Sequence, residues 1–258
     1  MSIRFPSVAR PILVILLALM AAFAVAQNAI PTPQLSINLG PAGGGAAGKG
    51  NDVSASLQIL AMLTVLSLAP AILILTTAFT RIVIIFGFLR NALGTPTIPP
   101  NQVVIGLSLF LTFFVMAPTY EQINQNALKP YMNKEIKMDV AIKRAEGPLR
   151  TFMLKNTYQK DLRLFLSIAK QNPQTREDVP LVSLIPAFII SELKTAFLIG
   201  FYLFVPFLII DLIVASGLMS MGMMMLPPTV VSLPAKILVF VLADGWSTLI
   251  QAILSGYR

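Results

Sequence analysis

Five ionisable side chains, Glu192, Lys194, Asp211, Lys236 and Asp244, interrupt the apolar last third of this chain. An aspartyl intramembrane protease needs two aspartates that meet at one site, and Asp211 with Asp244 is the pair that could supply them. The surrounding stretches, "LIIDLIVAS" and "VLADGWSTL", offer no recognisable catalytic context. A serine nucleophile needs a base, and the sequence has no histidine. It has no cysteine either, which removes thiol catalysis, disulfides, zinc sites and haem ligation. A P-loop is also missing. The sequence therefore predicts no enzyme, no cofactor and no metal.

The same charges have other uses. Glu192 and Lys194 are two apart, so on a helix they point to different faces. Lys236 and Asp244 are eight apart and would share a face with Phe240 between them. One arrangement pairs Glu192 with Lys236 across two helices, a structural ion pair. Snorkelling to an interface and a proton or ion pathway are the other two readings of these charges.

The elements that must hold these residues are those of a membrane protein. Of 258 residues, 56% are hydrophobic and 12% charged, against about 25% charged in soluble domains; mean hydropathy is +0.79. Arg4 and Arg10, the apolar run Pro11 to Phe23 and the A-x-A site at Ala24–Ala26 predict a signal peptide over residues 1–26. That run is short of the ~20 residues a span needs. Residues 27–52, with three prolines and the run "GPAGGGAAGKG", read as a flexible leader.

Between Asp52 and Arg81 lie 28 uncharged residues, and between Arg90 and Glu121 lie 30. Together they predict a first hydrophobic hairpin over 53–118. Its connecting stretch, "TRIVIIFGFLRNALGTPTIPPNQ", carries Arg81 and Arg90 and falls on the cytoplasmic side by the positive-inside rule. Residues 119–184 hold eleven basic and seven acidic residues. Leu149, Phe152, Met153, Tyr158, Leu162, Phe165, Leu166 and Ala169 form a helical stripe there. This predicts a helical periplasmic domain; the signal peptide and spans set nucleic acid aside as a partner. Residues 185–258 read as a second hydrophobic hairpin. A charge near mid-bilayer costs at least ~2.5–3.5 kcal/mol, so its helices should face protein or water.

Five of the twelve methionines lie in "MSMGMMMLPP", residues 219–228. Methionine fills irregular gaps in cores, and scattered residues would serve that end. A cluster closed by Pro227-Pro228 instead predicts an irregular loop, which survives at membrane depth only in protein or along a cavity. Several such loops in a ring would form a soft apolar constriction.

The stretches "SELKTAFLIGFYLFVPFLIIDLIVASGLMSMGMMMLPP" and "LPAKILVFVLADGW" closely resemble the FliP family of flagellar protein-export components. So do "LTTAFTRIVIIFGFLRNALGTPTIPPNQVVIGLSLFLTFFVM" and "PLRTFMLKNT". The resemblance runs from about Leu57 onward. It implies an all-α membrane protein in which a signal peptide precedes four long hydrophobic helices, set as two hairpins with a helical periplasmic insertion. Several copies, five by the usual description, would assemble with FliQ and FliR into an oligomeric cone. The implied function is a pore subunit of the type III export gate that passes unfolded flagellar substrate proteins across the inner membrane. Membrane lipid and other export-apparatus proteins would be further partners. The resemblance maps a channel gasket onto Met223, Met224 and Met225, with Met221 and Met219 as neighbours. It maps buried charges onto Glu192 and Lys236, and a packing aromatic onto Phe152. A membrane scaffold and a secondary transporter with a buried polar site remain as alternatives.

Overall fold

Proline and glycine divide the apolar sequence into helices. The computed structural model describes residues 74–223 and 225–257, with Leu60 and six further positions between 63 and 72. The signal peptide and leader expected over 1–52 and the gasket residue Met224 lie outside the described residues. Among those described there is no strand.

Helix α1 spans Phe79–Ala92 and α2 spans Asn101–Ile123. A π-helical turn, Asn124–Leu128, and the short α3, Lys129–Met132, extend α2. Helices α4, Met138–Lys155, and α5, Gln159–Ile168, follow. Then come α6, Leu181–Ser220, α7, Pro228–Leu242, and α8, Gly245–Ser255. Pro180 precedes α6, and Pro227-Pro228 opens α7 with Pro228 in its first turn, where its missing N–H costs no helical bond.

Two runs are long and apolar enough to cross a membrane, Asn101–Met132 and Leu181–Ser220. Helices α7 and α8 meet at a 65° bend and make a third if counted as one span. At 1.5 Å per residue the 40-residue α6 is about 60 Å long, twice the ~30 Å hydrocarbon thickness of a bilayer. The helix is longer than one crossing requires, and its first turns are built with α4 and α5 into a small helical unit, called the outer unit. There Leu184, Ala187 and Phe188 of α6 pack with Met153 and Leu154 of α4 and Leu162 of α5. The stripe expected as one helix is thus two. Asn156–Tyr158 breaks it, Tyr158 caps α5 and is exposed, and Ala169 lies just past the end of α5. Helices α2 and α6 run through residues 119 and 184, so both edges of this unit fall inside continuous helices.

The second core surrounds α1, whose Ile82, Ile85, Phe86 and Leu89 pack with Ala196 and Phe207 of α6, Phe240 of α7 and Leu249 and Ile253 of α8. The expectation that Thr80–Gln102 is one connecting stretch is corrected here. Its first part, through Ala92, belongs to a helix with one buried side, and only residues 93–100 turn. Arg81 is buried and lies at the end of α1 away from that turn, whereas Arg90 sits in the last turn of α1 and donates to the Pro96 carbonyl and Asn101 Oδ1 across it.

Candidate functional site

The five charges of the last third are distributed over three places. Glu192 is fully buried on α6, and Arg81 of α1 is 3% exposed. The guanidinium grips the carboxylate with two parallel bonds, Nε to Oε2 and Nη2 to Oε1, both 2.6 Å. This fork suits arginine, whose planar donors match a carboxylate two at a time. Tyr257, which follows α8, donates its hydroxyl to Glu192 Oε2 at 2.9 Å, and Arg81 Nη1 donates to the carbonyl of Gly256 at 3.1 Å.

Lys236 of α7 is buried and donates to Asp211 Oδ2 of α6 at 2.5 Å, while the Ser232 hydroxyl donates to Asp211 Oδ1 at 2.5 Å. The pairing of Glu192 with Lys236 is therefore corrected: each charge has a different partner within the chain. The reason is their height along α6. Nineteen residues separate Glu192 from Asp211, about 28 Å of helix, and α7 descends beside the Asp211 end.

Lys194 reaches outward and forms an ion pair with Asp161 of α5. Burial raises the Asp161 carboxyl, but hydrogen bonds from Lys194 and Ser191 and the charges of Lys194 and Lys160 outweigh it and hold the group below its ordinary value. Glu192 and Lys194 thus use the two faces that their spacing gives them, one toward α1 and one toward α5.

Asp244 does not share a face with Lys236, because α7 ends at Leu242. Asp244 adopts the left-handed backbone region, φ 47°, at the bend, and its carboxylate accepts from Ser247. Asp211 lies on α6 with Ser232 and Lys236 as partners and Asp244 at the α7–α8 bend with Ser247, so the two carboxylates do not meet. Among the described residues no group of three or more Asp or Glu side chains could hold a metal ion.

The methionine segment is more ordered at its start than its composition suggests. Met219 belongs to the last turn of α6. Met221 follows, then Gly222 with φ +75°. Gly222 N–H donates to Met219 O at 3.1 Å and Met223 N–H to Leu218 O at 3.0 Å. These two bonds are a Schellman closure with the glycine at its left-handed position. The loop then presents its side chains outward: Met221 is 72% exposed and Met225 99%, with Met219 and Met223 also exposed.

Phe152 of α4 lies between the two cores. It is edge-on to Phe188, 5.9 Å between centroids, and stacked on Tyr257 at 6.1 Å and 16°. Sequence reasoning missed Arg81, which it assigned to a loop, and Tyr257. A charge within an apolar run, spaced to meet another on a later helix, was the available signal for Arg81.

Long apolar helices, two or three of them able to cross a membrane, with charges held in pairs between them, define a helical protein of the membrane-spanning class. The FliP family model matches residues 62–253. Similar proteins are the flagellar biosynthetic protein FliP of Bacillus subtilis, 57% identical over 80% of this chain and 94% of the relative, and that of Aquifex aeolicus, 51% identical over 82% and 89%. The Caulobacter vibrioides protein of the same name is 46% identical over 93% of this chain and 86% of its own length. The chain belongs to the FliP family, and so is a structural component of the flagellar export apparatus rather than an enzyme.

Proposed function

We propose that the chain is a pore-forming subunit of the flagellar type III export gate, in which several copies, five on the family pattern, surround a channel together with FliQ and FliR. Unfolded flagellar proteins pass through it across the bacterial inner membrane. Residues 1–26 direct insertion, residues 119–184 form a periplasmic domain, and the hairpin loops line the channel. Met221, Met223, Met224 and Met225 seal the channel when no substrate occupies it.

The carrying observation is the loop between α6 and α7. Among the described residues Met221, Met223 and Met225 are exposed there, although the loop is anchored by a closed helix end. Apolar side chains that converge from several subunits exclude water and ions by dewetting. Unbranched thioethers can move aside for a passing chain. The charges below the loop do not line this path in the reading, since Lys236 is buried against Asp211.

The mass of the detergent-purified complex, alone and with its partners, tests the reading. A ring of copies is expected, and a stable monomer under every condition would remove the pore.

A further inference from the structure

Beyond the gate function, we propose that Tyr257 is a releasable latch that couples the outer unit to α8 by closing over the Arg81–Glu192 pair. Two consecutive residues, Gly256 and Tyr257, reach three separate segments, α1 with its N-cap, α6 and α4. The Gly256 carbonyl accepts from Arg81 Nη1. The Tyr257 hydroxyl reaches two acceptors, Glu192 Oε2 at 2.9 Å and the Ala78 carbonyl at 3.3 Å, just before α1. It has one hydrogen, so it can serve only one of them at a time. The Tyr257 ring takes the Arg81 guanidinium on its face, 3.9 Å from the centroid, and Phe152 of α4 is stacked against the ring. The close approach also depends on Gly256, since a Cβ there would come within 3.3 Å of Arg81 Nη1.

The arrangement has the marks of a latch rather than a core. Glu192 and Arg81 are buried beneath it, while Gly256 is exposed and Tyr257 only half-buried. Lifting these two residues leaves the bidentate pair intact but removes one hydrogen bond from each member. Charged partners make such bonds stronger than neutral ones, so opening is disfavoured but local. Directly before the latch, Ile253 of α8 is fully buried in the core around α1. The outer unit touches this assembly through Phe152, which packs in both cores. Phe152 thereby links movement of α4 to the end of α8, alongside the continuous helix α6 that runs through both cores.

The chain has no cysteine, so Ile253→Cys gives a single thiol that reacts only when the end of α8 lifts. Its reaction rate with a small methanethiosulfonate reagent, in native membranes carrying the full-length protein, follows the opening equilibrium. Tyr257→Phe, which keeps the ring, should raise that rate by about tenfold, the scale expected for losing a hydrogen bond to a charged group, and Tyr257→Ala, which also removes the ring contacts, should raise it further. Phe152→Ala should raise it when Tyr257 is present and add nothing in the Tyr257→Ala background. Rates unchanged by both tyrosine substitutions would overturn the latch. So would a Phe152→Ala effect of equal size with and without Tyr257. The readout is independent of oligomer mass and of ion leakage, so its failure leaves the pore reading standing.

Discussion

Arg81 and Glu192 lie 111 residues apart in sequence and meet in two parallel hydrogen bonds of 2.6 Å, both side chains buried. The pair ties α1 to the first third of the longest helix, next to the residues of α6 that pack with α4 and α5. Two unsolvated charges are tolerated there because each meets the other in good geometry and Tyr257 and Gly256 satisfy further valences.

Removing one partner strands the other charge, at a cost of roughly 3–5 kcal/mol. Arg81→Leu and Glu192→Ala should each abolish accumulation of the folded protein. The exchange Arg81→Glu with Glu192→Arg should restore part of it, measured as protein recovered in the membrane. The exchange Glu192→Lys with Lys236→Glu should restore nothing, since those two side chains do not meet.

Asp211 and Lys236 form the second cross-helix pair, on α6 and α7. Asp211→Asn and Lys236→Met should each lower thermal stability in detergent. Because neighbouring effects are not additive, the double variant should lose clearly less than the sum of the two. Simple additivity would mean that the contact contributes nothing.

The Asp161 carboxyl titrates below its ordinary value, as hydrogen bonds and positive charges outweigh its burial. A group whose folded-state value is lowered stabilises the fold above the unfolded value, about 3.9 for aspartate. That contribution is lost as pH falls through the lower, folded value. Acid unfolding of the outer unit should therefore contain an Asp161 component below about pH 4. Lys194 is half-exposed, so the effect is modest. The component should disappear in Asp161→Asn, whose stability should vary less with pH over that range than the parent's. An identical acid profile would remove this account of the pair.

Gly200 of α6 lets α1 approach closely: a Cβ there would stand 2.4 Å from the Phe88 ring. Gly200→Ala should destabilise the fold by about 1–3 kcal/mol, as overpacking does. Phe88→Leu in the same chain should recover much of the loss in a thermal-melt comparison.

The apolar runs made the long helices readable, and the paired prolines marked the start of α7. The spacing of Glu192 and Lys194 fixed their opposite faces, because helical geometry is local. Partner choice was not local. Glu192 could have met any cation on a neighbouring helix, and only the depth of each residue along α6 selects Arg81 over Lys236. Arg81 was hidden because a basic residue in an apolar run reads equally as a loop flank. The Schellman closure at Gly222 left only a glycine as its trace, among methionines that pointed to irregular structure. Tyr257 carries no pattern of its own, and its role exists only once α8 has folded back onto α1.

Small-ion leakage is the direct measure of whether the methionines that follow α6 seal a channel. Membranes carrying equal amounts of the assembled complex should be compared, parent against the triple variant Met223→Gly, Met224→Gly and Met225→Gly. A leak well above that of the parent is expected. Leakage no greater than the parent's, with assembly intact, would contradict the seal.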